Sequence, residues 1–365
     1  MSTLFLPVSG FLGAGKTTTL IAAAELLEAR GRRVAIVTND QGTDLVDTRL
    51  ARSDASLVGE VTGGCFCCRF EDLLDVTSTL IEGNGVDTVL AEAVGSCTDL
   101  QATVVRPLRA HYGDRFTAPV LTTVVEPDRL AALSASLPIG DTGSDLSYLF
   151  AKQLEEADVI AVNKTDLLDR EETAALVETL RASHRSATVL ACSATTGDGM
   201  AELVHQWTGD SAYAARDLDV DYARYASAEA GLAWLNRTLV LSAPHGFDPA
   251  AWADAVLRLL SESARRRGWL VGHVKIALDS AAGLTKLSLV AAGAAPVATT
   301  SRGAVVTEAA VTVNARVACE PEELDEAVDA AVREAADRIS AAVRNSGGAA
   351  AFKPGYPRPT HRLPA

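Results

Sequence analysis

The chain has 365 residues, 48% of them hydrophobic and 22% charged, which is enough for two domains that each bury a core. A formal net charge of -14 sets the surface against nucleic-acid backbones, and no apolar run approaches roughly 18 residues, so neither a nucleic-acid partner nor a membrane span is expected. The first strand follows Met1 with no basic leader, and six cysteines are too few for a disulfide scaffold, so the expected location is the reducing cytoplasm.

In chain order, the apolar run Leu4 to Val8 reads as a buried strand and Thr17 to Arg30 as the helix after it. Between them, Gly10-Phe11-Leu12-Gly13-Ala14-Gly15-Lys16-Thr17 has the spacing of a phosphate-binding loop. Its glycines let successive N–H groups converge on phosphate oxygens at a helix N-terminus. Lys16 is then placed for the β- and γ-phosphates and the Thr17 hydroxyl for Mg²⁺. A second buried strand, Arg33 to Thr38, delivers Asn39-Asp40-Gln41-Gly42 to the same sheet edge, either to face the γ-phosphate or as an ordinary turn.

Ser56 to Val61 reads as a short strand, and after Gly63-Gly64 come Cys65, Cys67 and Cys68. Soft thiolates at this spacing suit a transition metal, and three protein ligands leave a position open for exchange. Small buried hydrophobes or a redox pair are the rival readings. Phe70 to Gly83 is a helix by spacing, and the strand Asp87 to Ala91 ends in Glu92-Ala93-Val94-Gly95. Glu92 there is placed to hold an Mg²⁺-bound water, and Gly95 brings an N–H toward the γ-phosphate. Cys97 either joins the thiols or is simply buried.

A helix is expected over Asp99 to Tyr112, a strand over Val120 to Val125, and helices over Pro127 to Leu137 and Asp145 to Asp158, with 138–143 as a loop. The strand Val159 to Val162 then runs into Asn163-Lys164-Thr165-Asp166. The Asp166 carboxylate matches the N1–H and 2-amino donors of guanine, which adenine lacks. Asn163 holds another edge of the base or braces the loop, and Lys164 lies along the ring. Thr188 to Cys192 is the last strand of this unit, and Ser193-Ala194 offers a backbone N–H to the guanine O6. Met200 to Thr208 closes it as a helix.

Alternating strands and helices make residues 1–208 an α/β P-loop NTPase domain with a mostly parallel sheet. Residues 209–228, with Asp217, Asp219 and Asp221, read as a linker. A smaller α+β domain is expected over 229–345. Its strands are Leu232 to Ser242, Trp269 to Leu278, Leu284 to Ala291 and Val306 to Val317, and its helices Pro249 to Arg267 and Pro321 to Val343. The basic, proline-rich run 346–365 reads as a flexible tail suited to an acidic surface.

Taken in order, Gly10 to Thr18, Gly64-Cys65-Phe66-Cys67-Cys68, Glu92 with Gly95, and Asn163 with Asp166 resemble the CobW family of GTP-dependent metallochaperones, kin of the urease and hydrogenase nickel-insertion GTPases. The resemblance implies that Gly13, Ala14, Gly15, Lys16, Thr17 and Thr18 bind the phosphates of GTP or GDP, with Lys16 and Glu92 catalytic. It implies Mg²⁺ at Thr17, Asp40 and Glu92, a γ-phosphate sensor at Glu92 and Gly95, and a guanine site at Asn163, Lys164, Asp166, Ser193 and Ala194. Cys65, Cys67 and Cys68 then hold a transition metal, zinc first and cobalt or iron after it, for delivery to a client metalloprotein. A homodimer stays open.

The family's Asn-Glu-Phe-Gly-Glu is Asn39-Asp40-Gln41-Gly42-Thr43 here, and the hydroxyls the family often carries between its Glu and Gly are replaced by Ala93 and Val94. No water-orienting glutamine or arginine finger is evident, so hydrolysis is expected to be slow. Two other classes stay open: an activator of a partner enzyme with structural cysteines, and an ATP-dependent small-molecule kinase.

Overall fold

Strands covered on both faces need continuous apolar runs, and the first half of the chain supplies them. The computed structural model describes residues 2–40, 46–54, 57–130, 144–209, 216–300, 303–347 and 350–365. Two units emerge: Met1–Gln41 with Asp54–Ala228 and Tyr356–Ala365, and Gly42–Ser53 with Glu229–Gly355.

The first unit holds β1 (Thr3–Ser9), β2 (Val34–Asn39), β3 (Val58–Val61), β4 (Thr88–Glu92), β5 (Phe116–Thr117), β6 (Thr122–Val125), β7 (Val159–Val162) and β8 (Thr188–Ala191). They form one sheet in the order β3-β2-β4-β1-β6-β7-β8, with β5 beside β1, and every pairing is parallel. Helix α1 (Lys16–Glu28) buries Leu20, Ala23, Ala24 and Leu27, one face at helical spacing. Register brings the strand ends into line: Val8 lies opposite Glu92, Ser9 opposite Thr123, Asn39 opposite Val61, and Val162 opposite Ala191. The loops after these strands therefore share one edge of the sheet, where open α/β sheets bind their ligands.

Helix α2 (Val46–Asp54) falls largely in the second unit, whose strands are β9 (Ala233–Phe247), β10 (Val271–Ser280), β11 (Gly283–Leu289), β12 (Val297–Thr300), β13 (Val306–Val317), β14 (Ala342–Asn345) and β15 (Ala350–Phe352). They pair antiparallel in the order β12-β11-β10-β13-β9-β14, with β15 on β9. The period of two sorts the faces. Leu235, Leu239, Leu241, Ile276, Val311 and Val313 join a core with Trp252, Val256 and Leu257 of the helix Pro249–Arg267 and Leu324, Val328 and Val332 of the helix Pro321–Asp337. Alternate positions carry Lys275, Lys286 and Asn314, and α2 docks on these. Asp47 pairs with Lys275 and, at 3.3 Å, with Lys286, while the Val46 N–H donates to Asn314 Oδ1 at 2.7 Å. The two ammonium groups hold the Asp47 carboxyl well below the usual carboxylate range, against the opposing push of burial.

Three boundaries differ from expectation. The helix expected to reach Val343 stops at Asp337, because Ser340 turns left-handed (φ 52°) and the chain re-enters the sheet as β14. The stretch 209–228 contains the start of a helix, Tyr222–Ala230. The run expected to be a mobile tail supplies β15, and its residues 356–365 pack on the first unit. Gln41, Gly42 and Thr43, the later part of the helix expected from Pro127 and the loop 138–143 lie outside the described residues.

Candidate nucleotide and metal site

The phosphate loop turns between β1 and α1, and Gly15, at φ 93°, caps the helix. A side chain there would be strained, and its Cβ would lie 2.5 Å from Asn163 Nδ2. Lys16 and Thr17 are buried at the helix start, with the Lys16 ammonium donating to the Gly10 carbonyl at 2.8 Å. Thr18, one residue on, is half-buried. Gly95 meets this loop from the β4 side. A Cβ on it would lie 3.0 Å from the Leu12 nitrogen, so any larger residue has to push the two loops apart.

The Asn163-Lys164-Thr165-Asp166 turn closes the other side. The Asn163 amide donates to the Ala14 carbonyl at 3.0 Å and accepts the Ala194 N–H at 3.0 Å, so Asn163 braces the phosphate loop and the turn after β8 together. Lys164 sits at φ 61°, its ammonium 2.9 Å from the Gly13 carbonyl and 3.8 Å from Glu126. Asp166 is exposed, and the Ser193 hydroxyl orients it with a 2.6 Å hydrogen bond. A carboxylate fixed in this way and open to solvent is free to accept the two donors of a guanine edge.

Glu92 ends β4 as a buried residue, 5% exposed. Thr17, Glu92 and Asp40, whose N–H bonds the Val61 carbonyl, supply oxygen donors of the hard type that Mg²⁺ prefers. Those residues fit the ion, which when bound neutralises charge on the phosphates.

The thiols gather as their spacing predicts. Cys65, Cys67 and Cys68 place their sulfurs within 4.8 Å of one another, and this is the one such cluster of metal-ligating side chains found among the described residues. The Cys65 sulfur lies 2.8 Å from Cys67 and 3.3 Å from Cys68. Cys97, also buried, lies close enough to Cys67 to raise its thiol, so a fourth sulfur adjoins the cluster. The contacts to Cys65, Cys68 and Cys97, with burial behind them, hold the Cys67 thiol well above the ordinary thiol range. Contact with Cys65 is the chief reason Cys68 is pushed up to about 11. A soft cation binding here has to displace protons.

Two residues tie the thiols to the loops at the phosphate edge. Asn39, at the end of β2, donates from Nδ2 to the carbonyls of Val61 (3.0 Å) and Gly64 (2.8 Å) and accepts the Phe66 N–H at 2.9 Å. Gln153 donates to the carbonyls of Gly95 (3.0 Å) and Cys97 (2.9 Å), pinning the loop that runs from β4 to Cys97. The sequence singled out Asn39 only as part of a loop, and nothing local marks Gln153, which acts from a helix some 60 residues away in the chain.

A parallel sheet with a phosphate loop, a strand-end acid and an Asn-Lys-x-Asp turn at one edge defines a P-loop nucleotide-binding protein. The family model for the CobW/HypB/UreG nucleotide-binding domain matches residues 5–191, and the chain belongs to that family.

Among curated relatives it is 31% identical over 191 residues to the zinc chaperone CobW of Pseudomonas aeruginosa, a match covering 46% of this chain and 50% of that protein. It is 28% identical over 172 residues to the zinc chaperone YeiR of Escherichia coli, covering 46% and 48%. The chain thus spans about half the length of the curated relatives it matches. Among solved structures, the Zn(II)-bound YjiA GTPase of E. coli aligns over 93% of this chain and 99% of that one at 17% identity, with a TM-score of 0.40. No helix among the described residues is long and apolar enough to cross a membrane.

Proposed function

We propose that this protein is a GTP-dependent metallochaperone that holds zinc on Cys65, Cys67 and Cys68 and passes it to a client metalloprotein in the cytoplasm, where free thiols persist. The observation that carries the reading is the Asn39 clamp: one side chain binds the backbone on both sides of the cysteine turn from the start of the loop expected to face the γ-phosphate. The names of the matched relatives, zinc chaperones, support the choice of metal.

GTP enters with its base edge on Asp166 and its phosphates on the N–H groups of 13–18, and Lys16 leaves the Gly10 carbonyl for a phosphate oxygen. The bond it gives up already has an ionised donor, and the phosphate oxygen adds a full opposite charge on the acceptor side. Thr17, Glu92 and Asp40 would hold Mg²⁺, which would neutralise charge on the phosphates, and the loops that carry Asp40 and Glu92 respond to the γ-phosphate. A shift of either loop moves Asn39 or the Gly95–Cys97 segment, and so the sulfurs. Coupling of this kind is reciprocal, zinc tightening GTP as GTP tightens zinc.

The test is a zinc titration of the wild type and of Cys65→Ser/Cys67→Ser, each with and without a non-hydrolysable GTP analogue. Wild type should bind zinc about tenfold tighter with the analogue, and the variant should lose tight binding in both states. Equal affinity in all four conditions overturns the reading and leaves the cysteines structural, as in a nucleotide-dependent activator. For the nucleotide, Asp166→Asn should move preference from guanine to xanthine, whereas an unchanged preference for guanine removes the base assignment.

A further inference from the structure

Residues 356–365 lie against the cysteine turn of the first unit. The Arg358 N–H donates to Cys68 Sγ at 3.2 Å, the Thr360 N–H to the Cys67 carbonyl at 2.8 Å and the Leu363 N–H to the Ala102 carbonyl at 2.9 Å. The Arg362 guanidinium pairs with Asp99 Oδ2 at 2.7 Å and reaches the Leu218 carbonyl at 3.0 Å. Asp99 is 1% exposed, and the same oxygen accepts the Tyr222 hydroxyl at 2.8 Å. Arg106 fixes the far end through the Leu363 carbonyl at 2.8 Å, and His361 stands edge-on to Phe70, its ring centroid 5.0 Å away.

Cys65 and Cys67 are buried, and Cys68 is the half-exposed member of the cluster. The backbone that meets Cys68 belongs to a stretch with prolines at 357 and 359, which keep it extended. Its anchor is a buried carboxylate, which is costly to leave without a cation.

We propose that residues 356–365 form a strap that closes the approach to Cys68, held shut by the Arg362–Asp99 pair. Lifting the strap strips Asp99 of its counter-charge, so the partner that opens it presents a basic side chain to Asp99 as Arg362 leaves. Metal traffic then has two controls. The nucleotide loops act from within the sheet edge, and the strap acts at the surface. This inference rests on the metal reading for its purpose, but the cover over Cys68 is tested without metal.

The experiment follows alkylation of each cysteine by iodoacetamide in the metal-free, full-length protein, read by peptide mass. Arg362→Glu, which sets a like charge on Asp99, should speed modification of Cys68 about tenfold. Arg358→Pro, which removes the donating N–H between two existing prolines, should give a smaller acceleration, and Arg362→Lys should stay within about twofold of wild type. Buried Cys192 and half-buried Cys319 serve as internal references. An unchanged Cys68 rate in Arg362→Glu, or an acceleration shared by Cys192, overturns the strap. Faster Cys68 modification in Arg362→Glu, together with a wild type that fails to bind zinc, supports the strap and overturns the metal reading, so the two fail separately.

Discussion

The two units bury polar side chains to different ends. In the first, Lys16, Thr17, Asn39, Glu92 and Asn163 lie at the ends of strands or the start of a helix at one edge of a parallel sheet, and Lys16, Asn39 and Asn163 brace loops there. In the second, Asp47 with Lys275 and Lys286, and Asn314 with Asn236, pair off on the face of an antiparallel sheet. The first arrangement leaves hydrogen-bonding capacity that a ligand can redirect. The second closes on itself and fixes which helix docks where, so polar burial alone does not mark a functional site; the direction in which the groups can re-pair does.

The sharpest way to break that contrast is Lys16→Ala. On the proposed function it removes the group that meets phosphate, so GTP hydrolysis should fall by on the order of 10²–10³-fold while thermal unfolding hardly moves. A large loss of melting temperature would place Lys16 with the structural pairs instead.

Asp47→Asn is the converse. It leaves two lysines without their carboxylate, and urea melts followed by the tryptophans, three of which (Trp234, Trp252 and Trp269) lie in the second unit, should show a loss of about 3 kcal/mol with GTP affinity unchanged. Because the folded-state pKa of Asp47 lies below the unfolded value of about 3.9, its contribution is fully present above that pH and is lost as the pH falls through the folded pKa. Wild type and Asp47→Asn should therefore differ at pH 7 and converge in acid.

Glu156 tests the first unit by titration. Burial pushes its carboxyl up to about 8, although it accepts hydrogen bonds from the Gln101 N–H and the Thr98 hydroxyl. The folded state binds the extra proton, so stability should fall as the pH rises from about 4.3 to 8 and level off beyond. Hydrogen exchange in the helix Asp145–Glu156 should record this slope in wild type and a flat profile in Glu156→Gln. A slope that survives the substitution assigns the pH dependence elsewhere.

The smallest effect sharpens the comparison most. Asn39→Ala should leave both units folded and zinc bound, yet cut the effect of nucleotide on zinc affinity by about threefold to tenfold.

What the sequence made legible was local. The phosphate loop, the cysteine turn and the Asn-Lys-x-Asp turn each declare themselves within nine residues, because each is a backbone shape with a few obligatory side chains. The strands of the first unit were readable for a related reason, since burial on both faces leaves an unbroken apolar run such as Val159 to Val162. Partners distant in the chain were not legible. Gln153 carries no mark that it will hold Gly95, the polar face of α2 does not name Lys275, and a helix expected to reach Val343 stops at Asp337 because β9 offers β14 a pairing that local propensity ignores. The 356–365 run shows the same limit, since prolines and arginines that suggest a loose end describe equally well an extended segment with a receptor elsewhere in the chain.

The strap meets Cys68 across a separation of 290 positions in the sequence. At ribosomal speeds of about 5–20 residues per second, the thiols emerge roughly 15–60 s before the segment that covers them. Every newly made molecule therefore passes through an interval in which its sulfurs are accessible and no gate yet exists. On the proposed metal reading, initial loading can take place on the nascent chain, and the strap calls for an opening partner only for later exchange.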